Sequence, residues 1–445
     1  MIEQLRNKYP IFIYDSYNII EENNTLHIEY NYEIKNLSKF THKISINFPN
    51  AIQRSYSNYK EEINNIVFNL GIMEAISYLK MTCSNKFVIN CGYLDNKQVN
   101  WYKNIFYQGL GEFIYLNNIT IEQADLFNFE LNVKKKFIKT NKTYENKGFL
   151  IPVGGGKDSI VSMELLKDYN PIYFVVNPNK TTLACIDKTS NNTNKVIVTR
   201  TLDKKFLELT PNYLNGHIPI TGILSFITYL TSFMIKNKYI AFSNEASANE
   251  ATVVGTNINH QYSKSISFEK DFKEYVECYL PYNIEYFSLL RGLDEIQITK
   301  LFSNYKKYHD VFISCNKGIR SSNWCGTCPK CLFVYIMLRA FLAEEELIKI
   351  FGKNLLDDEK LLTTFIELIG KSTTKPFECV GTIDEVRLAV DIIINNSNEL
   401  PYLLRYYKDN YSDIKVDYNL LTKYNNDNYI PKELNELIKG VYYDK

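Results

Sequence analysis

A surplus of charge is missing from this sequence: 51 Lys and Arg stand against 50 Asp and Glu, leaving a net charge of +1 over 445 residues. A balance so even carries no electrostatic footprint for nucleic acid. Long apolar runs are missing as well. The longest stretch, Ile218 to Ile235, is broken by Pro219 and by several Thr and Ser residues, so it reads as a buried helix and not as a membrane span. The opening Met-Ile-Glu-Gln-Leu-Arg-Asn-Lys is too polar for a secretory signal. Cysteines number nine, an odd count with three of them crowded together, which argues against a secreted disulfide scaffold. What remains is a cytoplasmic globular protein, 45% hydrophobic and 23% charged, long enough for two or three domains.

One stretch organises the rest: Phe149-Leu-Ile-Pro-Val-Gly-Gly-Gly-Lys-Asp-Ser159. An apolar run ends in Gly154, Gly155 and Gly156, and Lys157, Asp158 and Ser159 open an amphipathic helix through Ile160, Val161, Met163 and Leu165. Strand, glycine turn and helix N-terminus form a phosphate cradle, because glycine lets backbone N–H groups approach an anion that the helix dipole favours. A Walker A loop would need Gly at Ile151 and Ser or Thr at Asp158, and a dinucleotide fingerprint would need Gly or Ala at Ser159. The alternative is an ordinary glycine turn between strand and helix.

What the loop offers instead is Gly-Gly-x-Asp-Ser, which resembles the pyrophosphate loop of the N-type ATP pyrophosphatases, with Gly154 where that family usually has Ser. The resemblance implies ATP split between its α and β phosphates and an adenylated substrate oxygen. It also implies Mg²⁺, since Asp158 beside a phosphate needs a bridging cation.

Before the loop, residues 1–145 read as an α+β accessory domain. Leu26, Ile28, Tyr30, Tyr32 and Ile34 alternate with polar residues as a strand, Asn23-Asn24 is a turn, and Phe12 to Ile20 and Ile44 to Phe48 supply partners. Ile63, Val67, Leu70 and Met73 then fall on one helical stripe. Glu112, in Gly109-Leu-Gly-Glu-Phe113, is expected to be a solvated or hydrogen-bonded surface residue, with a substrate-facing role as the alternative. Lys134, Lys135 and Lys136 form a short basic run of the kind found in solvated linkers.

Residues 146–340 alternate strand and helix as a doubly wound parallel sheet requires, with apolar strands at Ile172 to Val176, Val196 to Val198, Ile240 to Ser243 and Val311 to Ser314. Ligands in such sheets sit beyond the carboxyl ends of the strands. That selects the glycine loop, Asn177-Pro178, Asn244-Glu245-Ala-Ser247 and Cys315-Asn316. Gly154 to Ser159, with Asn177 and Asn244, are the expected nucleotide contacts. Asn and Ser at these tips are equally able to cap the next helix.

Cys315-x9-Cys325-x2-Cys328-x2-Cys331 can close a tetrahedral Zn²⁺ site, a redox pair, an Fe–S cluster and free thiols used only for packing being the alternatives. The pattern is similar to the zinc site of 7-cyano-7-deazaguanine synthase, a relative of the same pyrophosphatases. Residues 341–445 read as a helical lobe, including a helix over Phe377 to Ile394.

Several runs together resemble one narrower family. They are Val153 to Ser159, His217-Ile-Pro-Ile-Thr221, Ser243 to Glu250, Asn259-His-Gln-Tyr-Ser-Lys264, Trp324 to Cys331 and Pro376 to Arg387. This is the UDP-N-acetylmuramoyl-L-alanyl-L-glutamate epimerase family, MurL. The resemblance implies an adenine nucleotide alpha hydrolase-like (PP-loop) fold and a UDP-MurNAc-dipeptide as the small-molecule substrate. Adenylating the terminal glutamate's α-carboxylate removes the charge that resists loss of the α-proton, so a base can take that proton and return one on the other face. Asp158 and Ser159 are expected at the ATP chemistry. Glu245, His217, His260 and Cys278 are the candidate bases, while Arg291, Arg320 and Lys264 are candidates for holding phosphates or carboxylates. A nucleobase- or tRNA-directed amide- or nitrile-forming pyrophosphatase is the rival enzyme. A nucleotide-sensing or zinc-binding scaffold without turnover is the non-enzymatic alternative.

Overall fold

The computed structural model describes residues 2–443 except 135, 138, 140–144, 190–192, 254, 282, 319 and 320. Arg320 and Lys135 therefore lie outside the described residues. Ten strands follow one another along the chain: β1 Ile11–Glu22, β2 Thr25–Ile34, β3 Ser38–Asn47, β4 Lys86–Ile89, β5 Asn128–Leu131, β6 Phe149–Pro152, β7 Ile172–Val176, β8 Lys195–Thr201, β9 Tyr239–Phe242 and β10 Glu285–Ser288. They form one mixed sheet in the order β10-β9-β6-β7-β8-β3-β2-β1-β4-β5.

The strands β10, β9, β6, β7 and β8 run parallel, and β1 to β3 form an antiparallel meander. Asn23 and Asn24 have φ of 48° and 57°, so the two-residue turn between β1 and β2 takes the left-handed backbone that Asn tolerates. Along β2 the buried residues are Leu26, Ile28, Tyr30, Tyr32 and Ile34, as the alternation predicts. The meander joins the parallel strands directly, with β3 antiparallel to β8 from Lys43↔Thr201 to Asn47↔Ile197. A single sheet thus crosses residue 145.

Each face of the parallel half is buried by different helices, which is why its strands are apolar at successive positions. Leu150, Phe174 and Ile240 face a core shared with the helices Lys60–Leu79, Asn96–Gly109, Ile220–Ile235 and Ile266–Tyr279. Ile151, Tyr173, Val175 and Ala241 face a second core with the helices Lys157–Leu165, Glu295–Ser303, Pro329–Arg339 and Ile383–Asn395.

A charged group is buried where the meander meets the parallel strands. Arg200 on β8 donates to both carboxylate oxygens of Glu74 at 2.6–2.9 Å, and His42 on β3 lies 3.3 Å from the same group. Burial alone would raise the Glu74 pKa, but Arg200 and His42 hold it down to about 2.

Two sequence expectations need correction. Val311 to Ser314 is not a strand. It is buried coil whose Ile313 N–H donates to Gly155 O at 3.1 Å, so its apolar residues pack beneath the glycine loop instead of extending the sheet. The outer parallel strand is β10, four residues that begin with an exposed Glu. The helix expected over Phe377 to Ile394 begins at Ile383, because Thr382 and Glu385 form a capping box there. That leaves residues 376–381 as coil.

Candidate active site

Backbone and side-chain groups from several elements converge at the carboxyl ends of β6 and β9. After β6, Val153 N–H donates to Phe174 O at 2.9 Å and the chain turns through Gly154, Gly155 and Gly156. Gly155 has φ of +85°, and a Cβ there would sit 3.2 Å from Thr182 Cα, so no other residue fits without strain. A Cβ on Gly154 would meet nothing within 4 Å, because that residue faces an open cavity. The Lys157–Leu165 helix starts with no side-chain cap, which leaves its first N–H groups free for an anion. Ser159 Oγ donates back to Gly156 O at 2.9 Å.

The cavity measures about 370 Å³ and is lined by Gly154, Asp158, Ser159, Asn244, Lys264 and Lys330 among others, with Cys379 on its wall. A larger hollow of about 760 Å³ lies beside Lys238 and Glu285, at the amino ends of β9 and β10. Ligands of parallel sheets bind at the opposite, carboxyl ends, where the glycine loop is.

Asp158, Glu245 and Glu295 bring one carboxylate oxygen each within 4.8 Å of one another. Buried Lys157 pairs with Asp158 and lies 2.7 Å from Glu295 Oε2, yet that oxygen accepts no well-directed hydrogen bond. Burial, with Asp158 and Glu245 adding to it against Lys157, pushes the Glu295 pKa up to about 8. Three gathered carboxylates suit a hard divalent cation. Glu245 is held from behind by Arg291, which is fully buried, donates to the Glu245 and Lys264 carbonyls and pairs with Glu269 at 3.2 Å. Arg291, a sequence candidate for holding phosphates or carboxylates, is thus spent on the frame of the site and does not line the cavity.

Beside this cluster lies a second. His260 Nδ1 is 2.5 Å from Glu112 Oε2, and the rings of His217 and His260 are 4.2 Å apart. Burial works against charge on His260, but Cys379 and Glu112 raise its pKa to about 9. Burial and the neighbouring His260 drive His217 down to about 3. Cys379 would be raised by burial, yet Lys264, His260 and Lys330 bring its thiol down to about 6.

Of the residues chosen from sequence, Gly154, Gly155, Gly156, Lys157, Asp158, Ser159, Asn244 and Glu245 gather at the loop, with Lys264 on the cavity wall. His217 and His260 sit together in the neighbouring cluster. Asn177 turns its side chain to the Arg200 backbone, donating to its O and accepting from its N–H at 2.9 Å each. Cys278 is exposed on the Ile266–Tyr279 helix. Sequence reasoning passed over Glu295, Lys330 and Cys379, although Cys379 lies within one of the runs that carried the resemblance. Glu112, expected to be solvated or hydrogen-bonded with a substrate-facing role as the alternative, is hydrogen-bonded, and its partner is His260.

The four cysteines come together as spaced. Sγ–Sγ distances are 3.7 Å for Cys315–Cys328, 3.6 Å for Cys325–Cys331 and 3.4 Å for Cys328–Cys331. A tetrahedron of thiolates about 2.3 Å from zinc has edges of about 3.8 Å. The geometry is consistent with a structural zinc site and too open for disulfides.

The description "MurL N-terminal domain" matches residues 3–289, and "MurL C-terminal domain" matches residues 311–411. Three curated relatives carry the name UDP-N-acetyl-alpha-D-muramoyl-L-alanyl-L-glutamate epimerase. The protein of Micromonospora sp. is 32% identical over 73% of this chain and 73% of its own. That of Salinispora tropica is 33% identical over 73% and 72%, and that of Xanthomonas oryzae pv. oryzae 31% identical over 74% of each. No solved structure matches. With both family domains present in order and relatives aligned over nearly three quarters of its length, the chain belongs to the MurL family.

Proposed function

We propose that this protein converts the terminal L-Glu of UDP-MurNAc-L-Ala-L-Glu to D-Glu in peptidoglycan precursor synthesis, using ATP and releasing AMP and pyrophosphate. Its relatives are named as epimerases, so the chain is an enzyme of the isomerase class. The observation that carries the substrate is that family match; the ATP step rests on the loop. Residues 146–340 are read as a PP-loop pyrophosphatase domain, 1–145 as its accessory part and 341–445 as a helical lobe.

In this reading the Gly154–Gly156 turn and the uncapped helix behind it receive the phosphates. Asp158, Glu245 and Glu295 would hold Mg²⁺, which would offset the phosphate charge and template the displacement. Lys264 and Lys330 face the same cavity and stabilise negative charge that grows there. Adenylation turns the substrate's terminal α-carboxylate into an acyl phosphate, so the carbanion formed next is no longer adjacent to a full anion.

The deciding experiment is incubation in D₂O with ATP, Mg²⁺ and UDP-MurNAc-L-Ala-L-Glu. D-Glu bearing α-deuterium, with AMP and pyrophosphate in step, is the expected result. Glutamate that stays L and unlabelled, or ADP and phosphate as products, would sink the reading.

A further inference from the structure

The segment Pro376-Phe-Glu-Cys379-Val-Gly381 runs as coil along the cavity, and other parts of the chain hold it on both sides of Cys379. Lys330 Nζ donates to the Cys379 carbonyl. Gln261 Nε2 donates to Val380 O at 3.1 Å, Asn316 Nδ2 to Glu378 Oε2 at 2.6 Å, and Lys375 Nζ to Gly381 O at 3.2 Å. A coil pinned so often holds its side chains in place as a reacting site requires. The Cys379 side chain lines the cavity that also contains Asp158 and Ser159. Behind it stands His260, near enough to influence the charge of the Cys379 thiol and itself fixed by Glu112 at 2.5 Å. Thiol, imidazole and carboxylate are thus in series, the arrangement by which an enzyme orients and activates a sulfur.

Resting on the adenylation reading above, we propose that Cys379 Sγ is the base that removes the substrate's α-proton, positioned by His260 and Glu112. The other groups in reach are less suited. His217, His260 and Glu112 do not line the cavity, and Glu245 belongs to the carboxylate cluster at the phosphates. Held at about 9, His260 already carries its proton at neutral pH, whereas the sulfur, brought down to about 6, is free to accept one. The charged and titratable groups facing Cys379 are Lys264, Lys330, His260 and the adjacent Glu378.

In the step, the α-proton passes to Sγ and the C–H electron pair becomes the enolate of the adenylated carboxylate. A new C–H bond forms on the opposite face with a proton from water, and the thiol returns its proton to the hydroxide so produced. No oxidant or reductant is needed.

The test separates the two half-reactions. In D₂O, Cys379→Ala and Cys379→Ser should lose α-deuterium uptake and D-Glu formation by at least about 100-fold, a factor at least about ten times greater than any loss of substrate-dependent pyrophosphate release. His260→Gln should lower uptake about tenfold and move its pH profile toward the ordinary thiol value of about 8.5. A second measurement needs no variant. Iodoacetamide should label Cys379 of the wild-type protein half-maximally near pH 6, well before exposed Cys278, and ATP with the dipeptide substrate should slow it. Deuterium uptake in Cys379→Ala above about a tenth of wild type, or labelling of Cys379 no faster than Cys278 at pH 6.5, overturns the proposal. A wild-type protein that labels the α-carbon without releasing pyrophosphate would overturn adenylation alone, and the Cys379 variants would still decide the base.

Discussion

Lys157 shows how this glycine loop differs from the lysine-bearing loops it superficially matches. It is buried between Asp158 and Glu295, which keep it charged against burial, so it neutralises the loop's own carboxylates instead of extending into the cavity. Asp158 and Ser159 are therefore the loop side chains that meet the ligand space. Asp158→Asn is expected to abolish pyrophosphate release while thermal melting stays within a few degrees of wild type, since the residue sits at a helix start and not in a core. Near-normal pyrophosphate release in that variant would dismiss the phosphate role. The glycine turn and the helix start were legible, because glycine spacing and its polar followers are local signals, but the inward turn of Lys157 to Asp158 and Glu295 was not. Nor were Glu295, Glu112 and Cys379. Each acts through neighbours at least 49 residues away in sequence, and an isolated Glu or Cys has no local pattern to betray it.

At the scale of elements, the joint between β3 and β8 is the place to test cohesion. Glu74 comes from the Lys60–Leu79 helix, His42 from β3 and Arg200 from β8, so one carboxylate ties three elements. Glu74→Gln leaves Arg200 charged and poorly paired inside the core and should cost about 3–5 kcal/mol in chemical denaturation. Its acid dependence has a definite sign. The folded pKa of about 2 lies below the unfolded value of about 4.3, so the contribution is complete above about 4.3 and is lost as pH falls toward 2. The variant should lack that acid-side slope. Strands β2 and β3 show alternation and β1 follows as the partner across the Asn23-Asn24 turn, whereas β4, β5 and β10 are four residues each and too short for any period to register. Val311 to Ser314 misleads for a physical reason: burial under the loop selects the same residues as burial in a sheet.

For the molecule as a whole, the cysteine cluster is the feature whose contribution to stability is open to a direct test. If the four sulfurs hold zinc, about one zinc per chain should appear by elemental analysis. Cys328→Ser should then lower the melting temperature more than it weakens ATP binding, because metal binding is itself folding free energy. A metal-free protein with unchanged melting would favour free thiols. The α/β character was readable from the alternation of apolar runs, but the joining of meander and parallel strands was not, since nothing in β3 or β8 names its partner.

That joint also has a consequence in time. On the ribosome β3 is finished about 150 residues before β8 emerges, roughly 7–30 seconds at ordinary synthesis rates. For that interval the meander carries an open edge with unpaired backbone groups, the feature that draws nascent chains into one another. Lys39 and Lys43 stand exposed along that strand, charges of the kind that discourage such pairing.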